Sequence, residues 1–120
     1  MMKINIAGTE FEYLEALETE ERYNGSSRRT LTVTCMPDVI GVDALNTLLT
    51  EENLASVTLV NTETDASAIH EGYVLKLKVG IENKLVKSET PDTPAVYEDR
   101  LIFKMGKRTY IEQRLHELDL

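Results

Sequence analysis

Thr30, Thr32 and Thr34 alternate with Leu31, Val33 and Cys35 a short way after Asn24-Gly25. No other feature constrains the chain as tightly. Asn and Gly tolerate the positive φ of tight hairpin turns. The period-two pattern of β-branched and apolar residues that follows fits a half-buried strand. Such a turn needs a second strand upstream, and Leu17, Thr19, Glu21 and Tyr23 alternate as one would. Phe11, Leu14 and Leu17 also recur every three residues amid glutamates, which is the pattern of an amphipathic helix. Both readings stand at this point; the need of the turn for a partner favours a strand from about Ala16 to Tyr23.

The rest of the chain reads as more strands and two helices. Asp43 is placed to cap a helix whose Leu45, Leu48 and Leu49 share one face and which ends around Asn53. Val57 to Asn61 resumes a strand. Tyr73, Leu75, Leu77, Val79 and Ile81 then alternate with Val74, Lys76, Lys78, Gly80 and Glu82, which predicts a sheet with one wet side and Leu77 in the core. In Val96–Met105, the residues Tyr97, Leu101, Phe103 and Met105 share a face. Between these strands, Ser88 to Pro94 holds two of the three prolines and reads as an exposed loop. Thr109-x-x-Glu112 is a capping-box pattern, and Ile111, Leu115 and Leu118 predict a C-terminal helix docked on the sheet. The expected fold is a single α+β domain over residues 1–120. Its antiparallel, hairpin-rich sheet forms a sandwich or partial barrel, with one short internal helix and one C-terminal helix. Strands and helices do not alternate regularly, which disfavours a doubly wound parallel sheet.

Charge narrows the partners. Thirteen Lys and Arg against twenty-one Asp and Glu leave a net charge of −8. Nucleic acid and anionic membranes are bound through neutralised phosphates, so neither is an expected partner. Cys35 is the only cysteine, which rules out an intrachain disulfide and fits synthesis in a reducing cytoplasm. Its apolar neighbours make it a buried, inert thiol. The segment after Lys3 lacks the apolar run of a signal peptide, and no stretch is long enough to span a membrane. Asn24-Gly25-Ser26 matches a glycosylation sequon but reads as a turn.

Candidate chemistry is thin. His70 and His116 each precede a glutamate, and neighbours in sequence diverge too far to chelate a metal together. Asn61, Glu63 and Asp65 are spaced like the start of a calcium loop, but Ala66 and Gly72 stand where such a loop needs Gly and Glu. Gly106-Lys107-Arg108-Thr109 resembles the tail of a phosphate loop, but Leu101 stands where the first glycine belongs and Arg108 where Ser or Thr does; with Lys104 it forms a positive turn. Glu10, Glu12, Glu15, Glu18, Glu20 and Glu21 form the densest charge cluster, and nothing nearby supplies the apolar pocket that acid–base work requires. No catalytic residue, cofactor or metal is expected, and the chain reads as a non-enzyme.

Two stretches carry a resemblance: Tyr23-Asn24-Gly25-Ser26-Ser27-Arg28-Arg29-Thr30-Leu31-Thr32 and Val42-Asp43-Ala44-Leu45-Asn46-Thr47-Leu48-Leu49. In element order and turn chemistry they are similar to small tail- and baseplate-associated proteins of phages and prophages of Gram-positive bacteria. The likeness covers about the first half of the chain and extends more loosely to Gly72–Leu77. It implies a structural or assembly protein, virion-associated, that contacts copies of itself or neighbouring virion subunits. The contact residues expected on the hairpin are Glu18, Glu20, Glu21, Tyr23, Arg28 and Arg29, whose opposite charges suit head-to-tail association into a homo-oligomer. The alternative is a small acidic binding module, inhibitor- or antitoxin-like, that captures a basic protein.

Overall fold

The computed structural model describes residues 1–118 apart from Asn24, and the side chain of Tyr23 also lies outside the described residues. In chain order the elements are β1 (Met2–Ile6), β2 (Thr9–Glu12), β3 (Glu15–Tyr23), β4 (Ser26–Cys35), α1 (Val42–Leu48), α2 (Glu51–Leu54), β5 (Ser56–Asn61), β6 (Ala66–Glu71), β7 (Leu75–Lys87), β8 (Val96–Gly106) and α3 (Tyr110–Leu118). The strands form two antiparallel four-stranded sheets, ordered β2-β1-β5-β6 and β3-β4-β8-β7. The fold is α+β, with the C-terminal helix in place.

Each sheet turns one apolar face toward the other. Ile4, Ile6, Phe11 and Val57 come from the first sheet, and Leu31, Val33, Cys35, Leu101, Phe103 and Met105 from the second. Phe11 and Phe103 meet with ring centroids 6.0 Å apart and planes tilted by 53°, within the range where aromatic pairs attract. Leu45, Leu49 and Leu54 of the helical segment complete the same cluster.

Glu15–Tyr23 is a strand, not a helix. It pairs residue for residue with β4, from Glu15 opposite Thr34 to Tyr23 opposite Ser26. Gly25 takes φ +78° between the two strands, a conformation an L side chain resists; Asn24, the other half of the expected turn, lies outside the described residues. The internal helix is two short helices. Gly41, rather than Asp43, holds the cap position of α1, and no side chain caps it. Asp43 lies within the first turn, where its charge still favours the helix N-terminus. The Thr50 hydroxyl caps α2, accepting from the Asn53 amide at 3.3 Å.

Leu77 is not in the core. The β7–β8 register passes from Lys76 opposite Met105 to Lys78 opposite Lys104, so Leu77 is an extra, bulged residue. Beyond the bulge Val79 and Ile81 face inward with Phe103 and Leu101. Leu77 falls on the outward face of the sheet, 40% exposed, over Gly106. A Cβ at Gly106 would lie 2.7 Å from Leu77 Cδ1 and 3.0 Å from Arg28 Cδ, so a side chain here would displace both.

Phe103→Ala is expected to cost about 3–5 kcal/mol, as truncation of a buried aromatic usually does. Leu77→Asp is expected to remain folded, losing under about 1 kcal/mol. Urea unfolding followed by circular dichroism measures both.

Candidate interaction surfaces

Strand length creates the first surface. β4 pairs with β8 only from Leu101 to Gly106, whereas β7 stays paired with β8 out to Lys87 and Val96. Residues 82–87 and 96–100 therefore form a two-stranded ribbon beyond the end of β4. The ribbon helps make the molecule long, with extents of 60 × 34 × 29 Å. Leu85 and Tyr97 sit opposite each other on the inward face of the ribbon and are 52% and 59% exposed. Val86, at a second bulge, and Val96 are exposed too. Tyr97 does share a face with Leu101 and Phe103, but the ribbon carries it past the covering sheet. Asn83 Nδ2 donates to Asp99 Oδ1 at 3.0 Å and ties the two strands together.

A second exposed apolar surface is α3. Its capping box forms: the Thr109 amide donates to Glu112 Oε1 at 2.8 Å, and the Glu112 amide to Thr109 Oγ1 at 3.2 Å. Ile111, Leu115 and Leu118, expected to dock on the sheet, are instead exposed. Polar contacts hold the helix. Arg28 Nη1 donates to the Lys107 carbonyl at 3.0 Å, and Nη2 lies 2.9 Å from Glu112 Oε1. The Thr109 amide and the Arg28 guanidinium together hold the Glu112 carboxyl below its usual pKa.

Arg28 is thus only 7% exposed. It fastens the hairpin to α3 inside the fold and is not presented to a neighbour as the sequence suggested. Its sequence neighbour Arg29 is exposed and lies on the other face of β4, opposite Glu20. Glu18 is placed between Arg29 Nη1, at 3.3 Å, and His70 Nδ1 of β6, so it bridges the two sheets. Glu21 reaches across the outward face to Lys104. Tyr23, as a side chain, lies outside the described residues. Sequence spacing alone does not reveal the Glu18–His70 contact, because the partners belong to different sheets.

The residues of the remaining motifs make local contacts. Asn61 Oδ1 accepts from the Glu63 amide at 3.1 Å, making a turn between β5 and β6. In the positive turn Lys104 meets Glu21, Arg108 meets Glu51 at 2.6 Å, and Lys107 Nζ stands 5.0 Å from the centre of the Tyr73 ring. His116 Nε2 lies 3.9 Å from the same Glu51. The Tyr73 hydroxyl is buried and has no partner of hydrogen-bond geometry among the described residues. Burial first, then the negative charge of Glu18, pushes its pKa up to about 12. Burial likewise pushes the Cys35 thiol up to about 12. Among the described residues, no three His, Cys, Asp or Glu gather to hold a metal, and no helix is long and apolar enough to cross a membrane. A shallow groove of about 620 Å³ runs over the outward face of the second sheet, with Lys78, Lys84, Arg100 and Lys104 against Glu15 and Glu82.

No protein-family model, curated protein or solved structure matches the chain.

Arg28→Ala is expected to cost about 1–3 kcal/mol, the range for a hydrogen-bonded charged group, and to loosen α3. Because the folded pKa of Glu112 is depressed, its contribution is complete above the ordinary carboxylate pKa of about 4.3 and is lost as pH falls below it. Unfolding curves against pH are expected to show this loss in the natural chain and a shallower one in Glu112→Gln. Cys35 is expected to react with a thiol reagent at the rate of unfolding; fast labelling of the native protein would contradict its burial.

Proposed function

We propose that the protein is a non-enzymatic assembly subunit that acts through contacts with identical or neighbouring chains. The observation that carries this reading is the β7–β8 ribbon. A lone two-stranded ribbon is marginal in water, yet this one carries Leu85, Val86, Val96 and Tyr97 in the open. Exposed apolar groups set on a projecting element mark a contact surface. The unpartnered face of α3 supports the same reading. A virion setting, among tail or baseplate components, is the context that the sequence resemblance adds. Synthesis in the cytoplasm followed by incorporation into a particle belongs to that proposal.

Light scattering coupled to size exclusion, from micromolar to near-millimolar protein, tests it. The natural chain is expected to grow into a defined oligomer. Leu85→Asp/Tyr97→Asp is expected to keep its circular dichroism and melting behaviour while staying monomeric. A natural chain that is monomeric throughout would overturn self-assembly and favour the acidic binding module. A double variant that associates like the natural chain would remove the ribbon from the contact.

A further inference from the structure

The second sheet has two open edges of opposite charge. β3 and β7 are its outer strands, and among the described residues no strand pairs with the far side of either. β3 carries four glutamates against one arginine, and β7 four lysines against one glutamate. Unpaired strand edges are templates for pairing with another chain. Like charges discourage β3 from meeting β3 and β7 from meeting β7, which leaves the unlike pair.

Direction and spacing agree with that pair. Three successive antiparallel pairings separate β3 from β7, so the two edge strands run in opposite directions. A second copy in the same orientation therefore sets its β3 antiparallel to β7. Glu15 and Glu21 stand six positions apart on the outward face of β3, beside Thr34 and Arg28. Lys78 and Lys84 stand six positions apart on the outward face of β7, beside Lys104 and Glu98. In antiparallel pairing, the register that sets Glu15 opposite Lys84 also sets Glu21 opposite Lys78. It preserves the inward and outward faces, as pairing into one continuous sheet requires. In the isolated chain three of these four groups have ion partners within the fold: Lys78 and Lys84 share Glu82, and Glu21 meets Lys104. Exposed pairs of this kind are weak and can be exchanged.

We infer that copies of this chain join edge to edge, β7 of one against β3 of the next, with Lys78 and Lys84 facing Glu21 and Glu15. This deepens the assembly reading and rests on it. The contact is heterologous, so it closes into a ring or runs on as a filament.

Charge reversal tests it by light scattering and sedimentation. Glu15→Lys/Glu21→Lys makes both edges positive, and Lys78→Glu/Lys84→Glu makes both negative. Each variant alone is expected to raise the dissociation constant roughly tenfold or more. An equimolar mixture is expected to restore association, because each variant offers the edge the other lacks. Added salt is expected to weaken the natural contact. Circular dichroism confirms that each variant is folded, and the restored mixture guards against misfolding as the cause of a loss. Association unaffected by either reversal, or a mixture that fails to recover, would overturn the edge pairing while leaving the assembly reading in place. A natural chain that never associates overturns both.

Discussion

Two sheets, each apolar on one side, have to bury those sides against each other, and the two sheets are unequal in length. The strands of the first run four to six residues, those of the second nine to thirteen. Cover is complete where Phe11 meets Phe103 and fails where the longer strands outrun the shorter. The exposure of Leu85 and Tyr97 follows from that mismatch, because their inward-facing positions would be core positions if the first sheet reached them. The length of the molecule and its candidate contact surface thus have one geometric cause.

The outward face of the second sheet is organised differently. Its order is polar, built on Arg28, whose guanidinium is taken almost wholly out of water and must find acceptors. It finds them in the Lys107 carbonyl and the Glu112 carboxylate. Gly106 makes room for the arginine stem, and the capping box of Thr109 and Glu112 orients the helix that supplies the carboxylate. A helix fastened at its first turn by charge need not bury its apolar stripe. This accounts for how α3 can be firmly started and yet expose Ile111, Leu115 and Leu118.

Local signals were legible wherever one residue type had one job. Gly25, the Thr30–Cys35 alternation and the Thr109–Glu112 box each specify a backbone state through their own chemistry, and the strands and helix they announce are present. The β1–β2 hairpin was not legible, since its turn sets Ala7 at φ +51° ahead of Gly8, an unusual use of alanine. Period-two reasoning over Tyr73–Ile81 failed on the near side of the bulge, where Leu75 stands opposite Gly106 on the outward face and Lys76 opposite Met105 on the inward one. A bulge adds a residue without any mark in the composition, and Leu77 changed faces. Arg28 departs from its expected exposure for a related reason. Charge predicts exposure on average, and the acceptors for this buried guanidinium, the Lys107 carbonyl and the Glu112 carboxylate, lie 79 and 84 residues further along the chain. The candidate hairpin contacts were therefore divided by the fold, with Arg28 turned inward and Glu18 committed to His70.

The ribbon also separates reach from stability. The cohesive core ends near Leu101, while the turn between β7 and β8 lies at the far end of a segment that contributes little to that core. Lengthening or shortening the ribbon there would change how far the molecule extends without disturbing the packing around Phe103. Small insertions at that one tip would set the span of the molecule, with its sheets, helices and buried arginine left unchanged.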